Sequence, residues 1–101
     1  MALTSKKEAT KFLAEVPPEY VFWCHDGRTL RDMKELGKAL STMTEETFAY
    51  HVNMEKNDFS NWVRDVIGDE KLASNLQRAR NRVQAANQVT SRISVLAKRL
   101  V

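Results

Sequence analysis

Two histidines, one cysteine and a short run of acids and amides supply most of the side chains in this chain that could do chemistry. Cys24, His25 and Asp26 are adjacent, and His51, Asn53, Asn57, Asp58 and Trp62 crowd the stretch HVNMEKNDFSNWVRDV. A cysteine with a histidine is a nucleophile pair, and Cys24, His25, His51 and Asp58 could together offer four metal ligands. Spacing argues against both. Adjacent residues on an extended chain point to opposite sides, so Cys24 and His25 cannot pair locally. His51 would have to complete the pair from elsewhere in the fold, and no Ser/Gly-rich element supplies oxyanion donors. No CxxC or HxxxH spacing supports a metal. There is no glycine-rich phosphate loop, and Met43 and Met54 read as core or loop residues. The expectation is a non-enzymatic protein with no catalytic residue, metal, cofactor or small-molecule substrate.

Charge carries a stronger signal. Residues 1–70 hold nine Lys+Arg and all thirteen Asp+Glu, a net of −4, whereas residues 71–101 hold seven basic residues and no acid. Those seven are Lys71, Arg78, Arg80, Arg82, Arg92, Lys98 and Arg99. A solvated helix normally mixes signs, because opposite charges at i, i+4 stabilise it and like charges do the reverse. A basic segment that forgoes every such pair fits a polyanionic partner, and a phosphate backbone is the commonest. Asn75, Gln77, Asn81, Gln84, Asn87 and Gln88 add side chains able to touch phosphate, sugar or base edges. An acidic protein surface, including that of a neighbouring copy, is the alternative. A membrane surface fits less well, since the segment lacks Trp and Phe.

These residues need helices to position them. One hundred and one residues support a single core, and three glycines and two prolines favour long helices over a turn-rich β fold. Thr4 or Ser5 opens a first helix with Ala9, Phe12, Leu13 and Val16 on one stripe, ended by Pro17-Pro18. EYVFWCHDG reads as an extended stretch or brief strand, with a turn at Asp26-Gly27. Thr29 opens a second helix with Asp32 at its N3 position, and Thr42 or Thr44 opens a third that buries Phe48 and Val52. Asn57 or Asp58 begins a fourth, with Phe59, Trp62, Val63 and Val66 as its apolar face and Gly68 after its end.

Asp69 then caps a last helix that meets no Gly or Pro up to Val101, on the order of 45 Å if continuous. Leu72, Leu76, Ala79, Val83, Ala86, Thr90, Ile93, Ala97 and Leu100 follow a 4-3-4-3 spacing along it, a thin heptad seam suited to coiled-coil pairing. The expected architecture is all-α: a compact four-helix body over residues 1–70 and a basic amphipathic helix over 71–101 that pairs in a homo-oligomer. No segment reaches the roughly 18 consecutive apolar residues of a membrane span. The N-terminus MALTSKKEATKF does not read as a secretory leader, and the lone Cys24 makes no internal disulfide, so the expected location is cytoplasmic.

Several blocks also share a recognisable pattern: F-x-C-x-D-G-R-x-L from Phe22, E-x-T-F-x-Y-H-V-N from Glu45, and N-D-F-S-x-W-V-x-D-V-x-G-D-x-x-L-A from Asn57. Over about residues 20–76 they resemble a small helical domain family of unknown function, found mainly in archaea and little-studied bacteria. The resemblance implies a compact helical domain that serves as an accessory or fused module. It carries over no catalytic or binding residue, and the basic segment after Ala73 lies outside it.

Overall fold

A computed structural model describes residues 4–101. Met1–Leu3, the start of the segment read above for a leader, lie outside the described residues. The first helix, α1 (Lys6–Leu13), begins with a reciprocal cap. The Ser5 hydroxyl accepts from the Glu8 N–H, and the Glu8 carboxylate accepts from the Ser5 N–H. The helical stripe read through Val16 stops short, because Ala14 is already extended and the Val16 N–H donates to the Arg31 carbonyl at 2.8 Å.

After a single 3₁₀ turn (Pro18–Tyr20), β1 (Phe22–Trp23) pairs antiparallel with β2 (Thr29–Leu30), Phe22 opposite Leu30. Gly27 holds φ +96° in the turn between them, where a side chain would be strained. Phe22, Cys24 and Leu30 point into the core, and Trp23 and His25 point out. Thr29 therefore belongs to a hairpin rather than to a helix start. Asp32 is itself the N-cap of α2 (Met33–Thr42), accepting from the Glu35 N–H at 2.8 Å.

Thr44 caps α3 (Glu45–His51) and Asn57 caps α4 (Asp58–Trp62). One turn of π-helix, Val63–Ile67, continues α4 and ends at Gly68 with φ +92°. Asp69 caps α5 (Glu70–Arg78).

The long final helix is in fact two. Ala79–Asn81 break it, and α6 spans Arg82–Lys98. Asn81 caps α6 by accepting from the Gln84 N–H, and the Gln84 side-chain carbonyl accepts from the Arg80 N–H at 2.9 Å. The break lets both halves bury an apolar face in the same core, Leu72, Ala73 and Leu76 from α5 and Ala85, Ala86, Val89 and Leu96 from α6. A continuous helix could have buried only one of them. The molecule accordingly extends 37 × 29 × 22 Å, with no projecting arm among the described residues.

α6 packs against α2 at Gly37, where an added Cβ would sit 3.2 Å from Val89 Cγ1. Around this contact Met33, Leu36, Leu40, Phe59, Val63, Leu72 and Leu96 form the core. The class is all-α apart from the two-residue strands. Among the described residues no helix is long and apolar enough to cross a membrane.

Candidate functional site

His51 is the last residue of α3 and only 3 % exposed, held against Phe22 and Phe59 with ring centroids 5.0 and 5.1 Å away. Its Nε2 accepts from the His25 backbone N–H at 2.9 Å. A backbone N–H can only donate, so the imidazole is neutral at Nε2 and carries its proton on Nδ1, which donates to Asp58 Oδ2 at 2.9 Å. Lys56 Nζ reaches the same oxygen at 2.9 Å. Burial alone would raise the Asp58 carboxyl, but hydrogen bonds from Lys56 and His51 outweigh it and hold the group below the usual carboxylate range. Both ring nitrogens are committed. His51 therefore has no lone pair left for a metal or a proton in transit, and its work is to tie the hairpin to the α3–α4 corner.

Cys24 lies on the inner side of that hairpin, while His25 faces out and stacks on Tyr50 at 3.9 Å between centroids. Burial pushes the Cys24 thiol up, away from the thiolate a nucleophile needs. The Asp26 carboxylate is pulled down to about 2, chiefly by its hydrogen bonds from the Arg28 side chain, and it serves the turn. Among the described residues no group of three or more His, Cys, Asp or Glu is placed to hold a metal ion.

The seven basic residues divide. Arg92 is buried on the inner face of α6, donating through Nε and Nη2 to the two oxygens of Asp69 at 2.7 and 3.1 Å, with a further Nη2 contact to Thr4 Oγ1 at 3.3 Å. Both side chains are nearly closed to solvent, 9 % exposed for Arg92 and 1 % for Asp69. Arg92 is thus not available to a phosphate. Its place in a basic stripe with Lys71, Arg78 and Arg99 assumes one unbroken helix, and the break at Ala79–Asn81 changes the phase. Arg82 is largely committed too, to Glu45 at 2.8 Å and to the carbonyls of Leu40 and Ser41 at the end of α2. Lys71, Arg78, Arg80, Lys98 and Arg99 remain exposed, and among the described residues none of them is ion-paired. Arg78 and Arg80 flank the start of α6, and Lys98 and Arg99 its end.

The heptad seam divides likewise. Leu72, Leu76 and Ala86 are buried within the chain itself, and Ala79 and Ile93 are partly so. Val83, Thr90, Ala97 and Leu100 stay exposed.

The exposed face of α6 was not legible in the seam. Between its ends every exposed residue is uncharged: Val83, Gln84, Asn87, Gln88, Thr90, Ser91, Ser94, Val95 and Ala97. In a chain that is 29 % charged, this uncharged exposed face sets α6 apart from the rest of the surface. On α2 beside the Gly37 contact, Lys34 and Lys38 are exposed as well. Asp69–Arg92, the buried pair that fixes α6 in this orientation, is the residue pair that sequence reasoning missed. No family model, curated protein or solved structure significantly matches the chain.

Proposed function

We propose that the chain is a non-catalytic, cytoplasmic nucleic-acid-binding protein that uses the surface of α6 and its flanking basic residues. The observation that carries this reading is the acid-free segment from Lys71 to Val101, in which five basic residues stay exposed with no carboxylate partner among the described residues. Arg78 and Arg80 at one end of α6 and Lys98 and Arg99 at the other are about 25 Å apart along the helix, a span over which separate phosphates can be met. Arg82 and Arg92 hold the helix in place instead of touching the partner. On the resemblance of residues 20–76 to a family of small helical modules, the body is an accessory domain that presents α6.

The test is a titration of labelled DNA and RNA over a salt series. With four phosphate contacts, log K falls with log salt at a slope of about −3 to −4, since each neutralised duplex phosphate contributes about −0.9. Absence of binding at low salt would end the proposal. A second reading, a self-associating scaffold whose basic residues dock on acidic bodies of neighbouring copies, draws on Val83 (55 % exposed), Thr90 and Ala97, which keep their seven-residue spacing on the surface. Light scattering at high concentration checks it, and a monomer would remove it.

A further inference from the structure

We infer that α6 reads duplex DNA from the major groove, with its uncharged face against base edges and its basic ends on the two backbones. This rests on the nucleic-acid reading above and names the kind of nucleic acid. Asn87, Gln88 and Ser91, with Val95 one turn further on, follow the i, i+3, i+4 spacing of a single exposed stripe. Side-chain amides are suited to adenine, which offers an acceptor and a donor side by side in the major groove, and an aliphatic group is suited to the thymine methyl. An acid in this stripe would be repelled by the phosphates, and a run of lysines would grip any sequence alike. The stripe contains neither.

Arg80, at the start of the helix, and Lys98, at its end, then fall where the groove walls carry phosphate. In order along the chain, a helix (α5), a three-residue connection (Ala79–Asn81) and a second helix with an exposed outer face follow one another, the order of elements in which helices are carried into the major groove elsewhere. A helix of about 10–12 Å diameter fits the roughly 12 Å groove of B-DNA. It does not fit the deep, narrow major groove of A-form RNA.

The experiment enriches bound sequences from a randomised duplex DNA pool. It then measures anisotropy of the enriched duplex, a scrambled duplex, double-stranded RNA and single-stranded DNA. The paired change Asn87→Ala with Gln88→Ala puts a strong helix former at two exposed positions, so folding is retained and can be checked by circular dichroism. The expected result is that the enriched duplex outcompetes the others, and that the paired change lowers its advantage over the scrambled duplex about 30-fold or more, two contacts at about 1–3 kcal/mol each, without altering the salt slope. Arg80→Ala with Lys98→Ala should instead lower the slope by about 1.8 and leave the preference intact. Equal affinity for single strands or double-stranded RNA, or a preference that survives the Asn87/Gln88 change, would overturn the inference while leaving nucleic-acid binding in place. No binding to any of the four would overturn both.

Discussion

Replacing Arg92 by methionine separates a structural arginine from a phosphate-binding one. The side chain is similar in length and apolar, so the change removes the charge with little loss of volume, and it strands the Asp69 carboxylate, 1 % exposed, without its main partner. Breaking a buried ion pair in this way costs about 3–5 kcal/mol. Domains of this size are stable by about 5–15 kcal/mol, so a large fraction of the total is at stake. At about 4–8 °C per kcal/mol, the midpoint of thermal unfolding should fall by about 12 °C or more.

Asp69 also caps α5 through the Leu72 N–H at 3.1 Å, and asparagine can keep that cap while giving up the charge. Arg92→Met combined with Asp69→Asn should therefore recover most of the loss, with a coupling energy in the double-mutant cycle of about 2 kcal/mol or more. Urea unfolding followed by circular dichroism gives the three free energies. The same proteins, assayed below their midpoints, should bind nucleic acid with an unchanged salt slope. A loss under about 1 kcal/mol for Arg92→Met, or a slope that drops in a folded variant, would refute the assignment of Arg92 to the core.

Three other outcomes follow from the geometry. Gly68→Ala places a Cβ in ordinary contact, 3.6 Å from Lys11 Nζ, so its cost is the backbone strain at φ +92°, about 1–2 kcal/mol in urea unfolding. The depressed carboxyls of Asp26 and Asp58 stabilise the fold above their unfolded values near pH 4 and lose that contribution as pH falls through their lower folded values. Unfolding midpoints should therefore decline below about pH 4, and Asp58→Asn should flatten part of the decline. Cys24, buried and with a raised thiol, should react with a thiol reagent at pH 7 far more slowly in the native protein than in urea. Equal rates would contradict its placement inside the hairpin.

What could be read from the sequence was local. Asp69 and Gly68 start and end helices through contacts within a turn that their residue types announce, and Ser5, Thr44 and Asn57 were each one of two candidate caps in the sequence, the structure choosing between Thr4 and Ser5, Thr42 and Thr44, and Asn57 and Asp58. Asp32 shows the limit of even this reading, since the same Thr-x-x-Asp spacing allows Thr29 to cap a helix when it belongs to a strand. The break at Asn81 was hidden for a different reason. Asparagine is tolerated inside a helix and good at its start, and only the gain from burying both Leu76 and Val89 in one core decides between them. Arg92 was hidden because its partner lies 23 positions away, across a turn whose existence was not visible. His51 was half legible: Asp58 was close in sequence, but the His25 N–H that occupies its second nitrogen comes from the hairpin.

The two arginines engaged inside the chain bear on the proposal for the ones that remain exposed. Arg82 closes the end of α2 and pairs with Glu45, and Arg92 ties α6 to the start of α5, so α6 is held at its first turn and again about three turns later. A basic helix projecting alone would have to be ordered by its partner, and the lost side-chain and backbone freedom would weaken every contact it made. A helix already pinned against α2 presents its uncharged face and basic ends in one fixed relation. On the proposed reading, that fixed relation would let base-edge contacts discriminate, because an amide that can tilt freely satisfies one base as well as another. The same pinning would be of little use to a purely electrostatic tether. A specific preference among duplexes, more than affinity itself, is therefore the property that this arrangement of Arg82, Arg92 and the open α6 face is suited to produce.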